Sequence, residues 1–116
     1  MRYLLMIYTS EAEDAKRTPE EGEANMKAYY AFTKEVTDSG HYLGGEALQP
    51  ISSATSVRVR DSEVITSDGP FAETKEQLGG YYIIDCEHMD EAIRWASQVP
   101  SAIFGSVEIR PIMVYG

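Results

Sequence analysis

The sequence is poor in cysteine, in basic residues and in long apolar runs, and each shortage excludes a class of protein. Cys86 is the one cysteine among 116 residues, so we expect neither an intrachain disulfide nor a zinc site built from several cysteines, and we assign Cys86 to the core. Ten Lys and Arg against 19 Asp and Glu give a net charge of −9, which repels nucleic-acid phosphates and anionic membrane surfaces. The longest apolar run, residues 4–7, is far shorter than the roughly 20 residues of a membrane helix.

A soluble globular protein remains, and we expect it in the cytoplasm. The amino terminus has no apolar stretch of signal-peptide length, so we predict that the first residues form a strand of the mature protein. A chain of 116 residues, 43% of them hydrophobic, fits one domain over residues 1–116. A domain of this size buries only about two-thirds of its unfolded surface, so we expect a second copy of the chain as its partner, and neither nucleic acid nor a membrane.

The first half of the chain contains a strand, a helix and a second strand. Residues 2–8 (RYLLMIY) are β-rich and apolar, as in a strand covered on both faces. Residues 18–21 (TPEE) supply an N-cap, a proline at the first helical position and an acid three residues after the cap, and Ser39-Gly40 supplies a stop. Residues 41–48 (HYLGGEAL) predict a short strand, in which the glycine pair permits a bulge or a close backbone approach.

The second half begins with an inserted hairpin. Residues 56–66 alternate around Asp61-Ser62, as β-hairpins do. Residues 79–86 (GGYYIIDC) predict a strong strand. Residues 89–99 place apolar side chains on one helical face behind two acids in the first turn, and residues 106–115 predict the last strand.

This order of elements predicts an α+β, ferredoxin-like fold, written βαβ-hairpin-βαβ. Right-handed crossovers and short connections favour a four-stranded antiparallel sheet with both helices on one face. The other face would be left bare, although aromatic and aliphatic side chains lie on it. A second copy placed sheet to sheet around a two-fold axis would cover that face, which predicts a homodimer.

Three segments carry a resemblance to a known family: residues 68–84 (DGPFAETKEQLGGYYII), 90–100 (DEAIRWASQVP) and 107–111 (VEIRP). With residues 45–48 and the hairpin, they resemble the DGPF branch of the YCII-related family, which takes its name from Asp68-Gly69-Pro70-Phe71. The resemblance implies a ferredoxin-like fold that pairs into a dimeric α/β barrel. It also implies a regulatory role, because relatives of this branch are commonly associated with extracytoplasmic-function sigma factors.

In the YCII branch, the resemblance implies a catalytic dyad of a His on the first helix and an Asp near the central sheet. One activity of that branch is dehydrochlorination of a ring-cleavage product. Alignment through Gly44-Gly45 puts the His near Lys27 or Ala28, and neither side chain can act as an imidazole base. The dyad is therefore broken here, and a replacement would have to come from His41, at the start of the second strand.

Asp68 is our candidate general base, and Lys75 is the cation placed to neutralise it or to bind an anionic substrate. If Asp68 lay at the mouth of a cavity, partial burial would disfavour its charged form, so that the carboxylate would accept a proton more readily, as a general base must. In the alternative, Asp68 accepts backbone N–H groups in an Asx-turn, the Gly-Pro pair after it fixes the bend, and Phe71 fills the core.

Glu46, Tyr81 and His41 are the candidate substrate-binding residues. Glu46 lines the cavity with Asp68 if their strands are neighbours. Tyr81 and Tyr82 alternate faces, so one should point to the helices and the other to the dimer-facing cavity, where its hydroxyl would orient a ligand. The alternatives are core packing for the tyrosines and a surface position for His41.

Two classes of function follow from these residues. The first is an acid/base enzyme, a lyase or isomerase acting on a small organic acid or ring-cleavage product. The second is a noncatalytic dimer that binds a metabolite or a partner protein. We expect no cofactor, because neither glycine pair opens a helix as a nucleotide-binding loop does, and no metal, because no His-x-His or His-Glu pair lies on one face.

Overall fold

The structure of the protein is a computed structural model that describes residues 1–116. Six strands and three α-helices follow one another along the chain: β1 (Arg2–Thr9), α1 (Glu11–Asp14), α2 (Pro19–Asp38), β2 (Tyr42–Ala47), β3 (Thr55–Arg60), β4 (Glu63–Asp68), β5 (Gln77–Asp85), α3 (Met89–Ala96) and β6 (Ser106–Pro111). The predicted order is confirmed, with the single turn α1 added to it. Two 3₁₀ turns, Ile51–Ser53 and Pro100–Ile103, complete the regular structure.

The main sheet has four antiparallel strands in the order β2-β5-β1-β6. This order is that of the ferredoxin-like α+β fold, so the predicted fold class is confirmed. The strands β3 and β4 form a separate two-stranded sheet. The main sheet has two free edges and does not close into a barrel within one chain.

Helix α2 begins as its sequence predicts. The Thr18 hydroxyl accepts a hydrogen bond from the Glu21 backbone N–H at 3.1 Å, and the Glu21 carboxylate accepts one from the Thr18 N–H at 3.1 Å. Pro19 occupies the first helical position, where a missing N–H costs nothing. The helix ends before Gly40, whose φ of 86° lies in the left-handed region that glycine tolerates.

The core lies between the sheet and the helices α2 and α3. Alternate residues of β1 are buried on this side, and Leu5 of β1, Ile84 of β5 and Val36 of α2 have no exposed surface. Burying a side chain of this kind fully stabilises the fold by about 1.5–3 kcal/mol. The intervening residues, among them Leu4 and Met6, lie on the other face of the sheet and are partly exposed. We call this the open face.

The hairpin β3–β4 turns at Asp61 and Ser62, as predicted. Their φ values of 50° and 65° are those of a type I′ turn, which matches the twist of the two strands. Apolar side chains on the hairpin, such as Val64 at 70% and Val57 at 61%, are exposed. The radius of gyration is 16.3 Å, against about 13 Å for a compact chain of this length, so the single chain is flat and extended.

Two predicted elements are too long. The second long helix ends at Ala96 and not at residue 99, because the backbone tightens into 3₁₀-type bonds before Pro100. Strand β6 ends at Pro111 and not at residue 115. Pro111 pairs with Tyr3, and one further bond joins the Ile112 N–H to the Arg2 carbonyl. Strand β1 begins at Arg2, so the residues after 112 have no partner strand.

The two adjacent glycines of β2 should differ in their tolerance of a side chain. A Cβ at Gly45 would lie 2.7 Å from the Tyr81 carbonyl oxygen and 3.1 Å from Cδ1 of Tyr82, whereas at Gly44 nothing lies within 4 Å. We expect Gly45→Ala to lower the free energy of unfolding by about 1–3 kcal/mol, as measured by urea denaturation. Gly44→Ala is the matched control, and an equal loss in both variants would contradict the packing argument.

Candidate functional site

A cleft of about 770 Å³ opens between α2 and the sheet, at the end of the sheet where β2 finishes. Its volume falls within the roughly 300–1,000 Å³ of small-molecule sites. We call it the helix-side cleft. Its principal polar groups belong to Asp14, Arg17, Tyr29, Thr33, Tyr82 and Ser101.

Two pairs of hydroxyl groups form the inner wall of the cleft. The Tyr29 hydroxyl donates to Ser101 Oγ at 2.6 Å, and the hydroxyls of Thr33 and Tyr82 lie 2.6 Å apart. Burial raises the pKa of Tyr29 and of Tyr82, and the hydrogen bonds to Ser101 and Thr33 offset part of that rise. Both phenols are therefore neutral at physiological pH and act as hydrogen-bonding groups.

Charged groups surround the mouth of the cleft. The Arg17 guanidinium lies 3.3 Å from an Asp14 carboxylate oxygen and stacks on the Phe104 ring, 3.6 Å from its centroid. The Thr9 hydroxyl donates to the other Asp14 oxygen at 2.8 Å. Glu11 also lines the cleft, so carboxylates outnumber cations at this entrance.

Two of the predicted substrate-binding residues, Glu46 and Tyr81, border the cleft, but their side chains do not point into it. They are partners across β2 and β5, so their side chains share one face of the sheet. Tyr82 packs edge-on against Phe32 of α2, with ring centroids 5.2 Å apart, so it is the tyrosine that faces the helices. The side chain of Tyr81 lies on the open face by strand alternation. The prediction that Tyr81 and Tyr82 point to opposite faces of the sheet is confirmed.

Asp68 and Lys75 do not line the cleft of the single chain. Asp68 ends β4 and is exposed, and Lys75 is exposed in the irregular segment before β5. Backbone groups secure the bend beside Asp68: the Gly69 N–H donates to the Ala54 carbonyl at 2.7 Å, and Gly69 has a φ of 94°. The roles of Asp68 and Lys75 stay predictions.

The prediction that Phe71 fills the core is wrong. Its side chain is 81% exposed. The chain leaves the hairpin at Gly69 and has no regular structure until β5 begins at Gln77. Phe71 therefore lies in an exposed surface connection between β4 and β5.

His41 lies at the opposite end of β2 from the mouth of the cleft, in a cluster with Cys86 and Glu91. His41 Nε2 is 2.9 Å from a Glu91 carboxylate oxygen. Burial, followed by the neighbouring Glu91 carboxylate, raises the pKa of Cys86 to about 11, so Cys86 is a neutral thiol. Burial alone would raise the pKa of Glu91, but its contacts with Cys86 and His41 outweigh that effect and lower it.

Most residues of the cleft and of the His41 cluster could not be predicted from the sequence. Nothing in the spacing of Tyr29, Thr33 and Ser101 indicates that α2 and the 3₁₀ turn at Pro100 meet. The helical periodicity of α2 was the one available signal for Tyr29 and Thr33, since residues four apart share a helix face. The predicted core position of Cys86 is confirmed by its 3% exposure, but nothing in the sequence indicates that it lies near His41.

Comparison with known proteins gives a match over nearly the whole chain. The sequence pattern of the YCII-related domain matches residues 1–115. An uncharacterised protein of Rhizobium meliloti (strain 1021) is 37% identical over 117 residues, which cover 99% of this chain and 94% of that relative. No helix of the structure is long and apolar enough to cross a membrane.

The raised pKa of Tyr82 predicts a loss of stability in alkali. Its contribution is fully present below the unfolded-state pKa of about 10 and is lost as the pH rises through the folded-state value. We expect the free energy of unfolding of Tyr82→Phe to fall less steeply above about pH 10 than that of the native chain. Urea denaturation over a pH series measures this slope. Tyr115→Phe, at an 84% exposed position, is the control, and equal slopes for Tyr82→Phe and the native chain would refute the prediction.

Proposed function

The chain belongs to the YCII-related domain family, and on that premise we propose that it is a noncatalytic homodimer in which each protomer binds a small organic molecule in its helix-side cleft. The observation that carries this proposal is the cleft itself, about 770 Å³ in volume and lined by aromatic rings and ordered hydroxyl groups. Aromatic walls with a few fixed polar groups are typical of small-molecule sites. The motif Asp68-Gly69-Pro70-Phe71 supports the DGPF branch of the family.

The charge of the lining supports a neutral or cationic ligand in place of the small organic acid suggested by the sequence. Glu11 and Asp14 contribute carboxylates, whereas Arg17 contributes the one guanidinium. That guanidinium is already paired with Asp14. An anionic ligand would therefore meet a net negative entrance.

Homodimer formation is supported by the surface that one chain leaves uncovered. The open face presents Leu4, Met6 and Ile83 with part of each side chain exposed. An apolar second face of such a sheet can be buried by packing on another sheet. A two-fold pairing of open faces would bury these side chains and form the dimeric barrel.

A protein partner would complete the noncatalytic role. Met113, Val114 and Tyr115 follow the last strand with 69%, 79% and 84% of their surfaces exposed, and contiguous apolar surface of this kind is typical of interaction sites. The family resemblance suggests an extracytoplasmic-function sigma factor as the class of partner.

Acid/base catalysis is the second candidate function. The hairpin that ends in Asp68 exposes Val64 and Ile65, which would be covered if it crossed to a partner subunit. Such a crossing would carry Asp68 and Lys75, as base and electrostatic partner, to the open-face edge of the partner's cleft. A substrate would be held there by Glu46 and Tyr81.

A bulky side chain at the cleft should block the binding of an uncharged probe. We expect Ala15→Trp to weaken the binding of N-phenyl-1-naphthylamine by at least about tenfold, a free-energy difference of about 1.4 kcal/mol, because Ala15 lines the cleft. Probe fluorescence measures the affinity. Ala12→Trp is the control, because Ala12 lies in the short helix that Ala15 caps, is exposed and does not line the cleft.

The same titration separates the two candidate functions. If the protein only binds its ligand, Asp68→Asn and Lys75→Gln should bind the probe as tightly as the native chain. Weaker binding in these variants would support the shared catalytic site. Probe binding unaffected by Ala15→Trp would place the probe elsewhere and count against the proposed cleft.

A charge on the open face should prevent dimer formation. We expect sedimentation to give a mass of twice 12.9 kDa for the native chain and one times 12.9 kDa for Ile83→Glu, because a buried, unpaired carboxylate is costly. Met26→Glu introduces the same carboxylate at a 59% exposed position on α2 and should stay dimeric. A native chain that sediments as a monomer at micromolar concentration would refute the dimer.

A further inference from the structure

We propose that His41, Cys86 and Glu91 form a binding site for one divalent metal ion of the zinc type. His41 immediately precedes β2, Cys86 immediately follows β5, and Glu91 lies in the first turn of α3. One ligand atom of each residue lies within 4.8 Å of the other two. Around tetrahedral zinc such atoms lie about 3.3–3.6 Å apart, given bond lengths of about 2.0–2.3 Å, so small side-chain rotations would close the site.

The hydrogen bonds of Ser39 fix which nitrogen of His41 faces the cluster. The Ser39 hydroxyl donates its one hydrogen to the Val36 carbonyl at 2.6 Å. Its oxygen lies 2.9 Å from His41 Nδ1, so it accepts the hydrogen that Nδ1 carries. Nε2 is therefore the ring nitrogen that can give up its hydrogen and offer a lone pair to a metal ion beside Glu91. A metal-binding histidine needs this arrangement, in which the other ring nitrogen donates to a neighbouring group.

The facing oxygen of Glu91 also lacks a partner. Glu91 Oε1 is 2.9 Å from His41 Nε2, yet it has no accessible surface and accepts no aligned hydrogen bond. Two lone pairs at this distance repel each other unless a positive charge lies between them. A proton between them would bridge only His41 and Glu91, in a hydrogen bond that is strongest when linear. A metal ion would in addition coordinate the sulfur of Cys86.

The chemistry of the three ligands favours zinc or a similar ion over calcium or magnesium. Imidazole and thiolate are the ligands that Zn²⁺ prefers, and a carboxylate completes sets of this kind. Cys86 would bind as the thiolate, and its proton would pass to solvent. Three protein ligands leave a fourth position for water. The His41 side chain is 28% exposed, so ion and water can enter from its side.

The charges around the cluster are compatible with a cation. Asp85 adjoins Cys86, and its carboxylate pairs with the N-terminal ammonium at 3.0 Å. Arg94 approaches the other oxygen of Glu91 no closer than 3.9 Å. The site is therefore not already neutralised by a close ion pair with arginine. It is also separate from the helix-side cleft, so its test is independent of the proposed function.

Metal titration tests this site directly. Protein freed of metal with a chelator is titrated with Zn²⁺ by calorimetry and with Co²⁺ by absorption spectroscopy. We expect one ion per chain, and for Co²⁺ a near-ultraviolet thiolate-to-metal band with visible absorption of tetrahedral intensity. Cys86→Ser should lose the thiolate band, and His41→Ala should lower the Zn²⁺ affinity by at least about tenfold.

Two further variants separate ligation from a loss of folding. Ser39→Ala keeps all three ligands and should lower the Zn²⁺ affinity about 10–100-fold, the usual effect of removing an outer partner of a metal-binding histidine. His88→Asn changes the other histidine and should bind as the native chain does. Circular dichroism confirms that each variant is folded. The proposal would be overturned if the native chain bound no Zn²⁺. It would also be overturned if the folded variants His41→Ala and Cys86→Ser bound Zn²⁺ as tightly as the native chain does.

Discussion

The packing of the two central strands against α2 is the constraint on which the rest of the structure depends. Leu5 of β1, Ile84 of β5 and Val36 of α2 share one core and have no exposed surface. Because side chains alternate along a strand, this burial determines on which face of the sheet each remaining side chain of both strands lies. It turns Tyr82 toward the helices, where it can meet Thr33, and leaves Tyr81 on the open face. A slip of one residue would exchange them and remove the hydroxyl wall of the cleft.

The pairing of β2 with β5 then gives two different sites, one at each end. Where β2 finishes, Gly45 and its neighbours border the helix-side cleft, and the close packing of Tyr82 over Gly45 leaves no space for a Cβ. Where β2 begins, His41 meets Cys86 because the end of β5 lies beside the start of β2. Helix α3 starts a few residues later and supplies Glu91. One antiparallel pair therefore positions both groups of residues, although the chain positions involved are far apart.

The open face and the hairpin give the single chain an incomplete surface. A ferredoxin-like unit covers one face of its sheet with helices, and here the hairpin β3–β4 forms its own small sheet beside the main one. Its valines are exposed, and the molecule measures 48 × 47 × 18 Å. A thin molecule buries little apolar surface for its size, and association is a common way to bury more. The proposed dimer accounts for the flat shape and for the exposed valines together.

The sequence by itself determined the features that depend on neighbouring residues. Thr18, Pro19 and Glu21 act within one helical turn, so the start of α2 was predictable. The alternating pattern on either side of Asp61 and Ser62 indicated a hairpin turn, and both residues have the positive φ values that this turn requires. Tertiary structure alone decided which distant residues meet. The contacts of Tyr29 with Ser101 and of His41 with Glu91 join residues 72 and 50 positions apart. Such contacts arise from the way the helices pack on the sheet, and no local spacing records that packing. Phe71 stays exposed for the same reason, because the path of the connection after the hairpin depends on the whole fold and not on the hydrophobicity of one side chain.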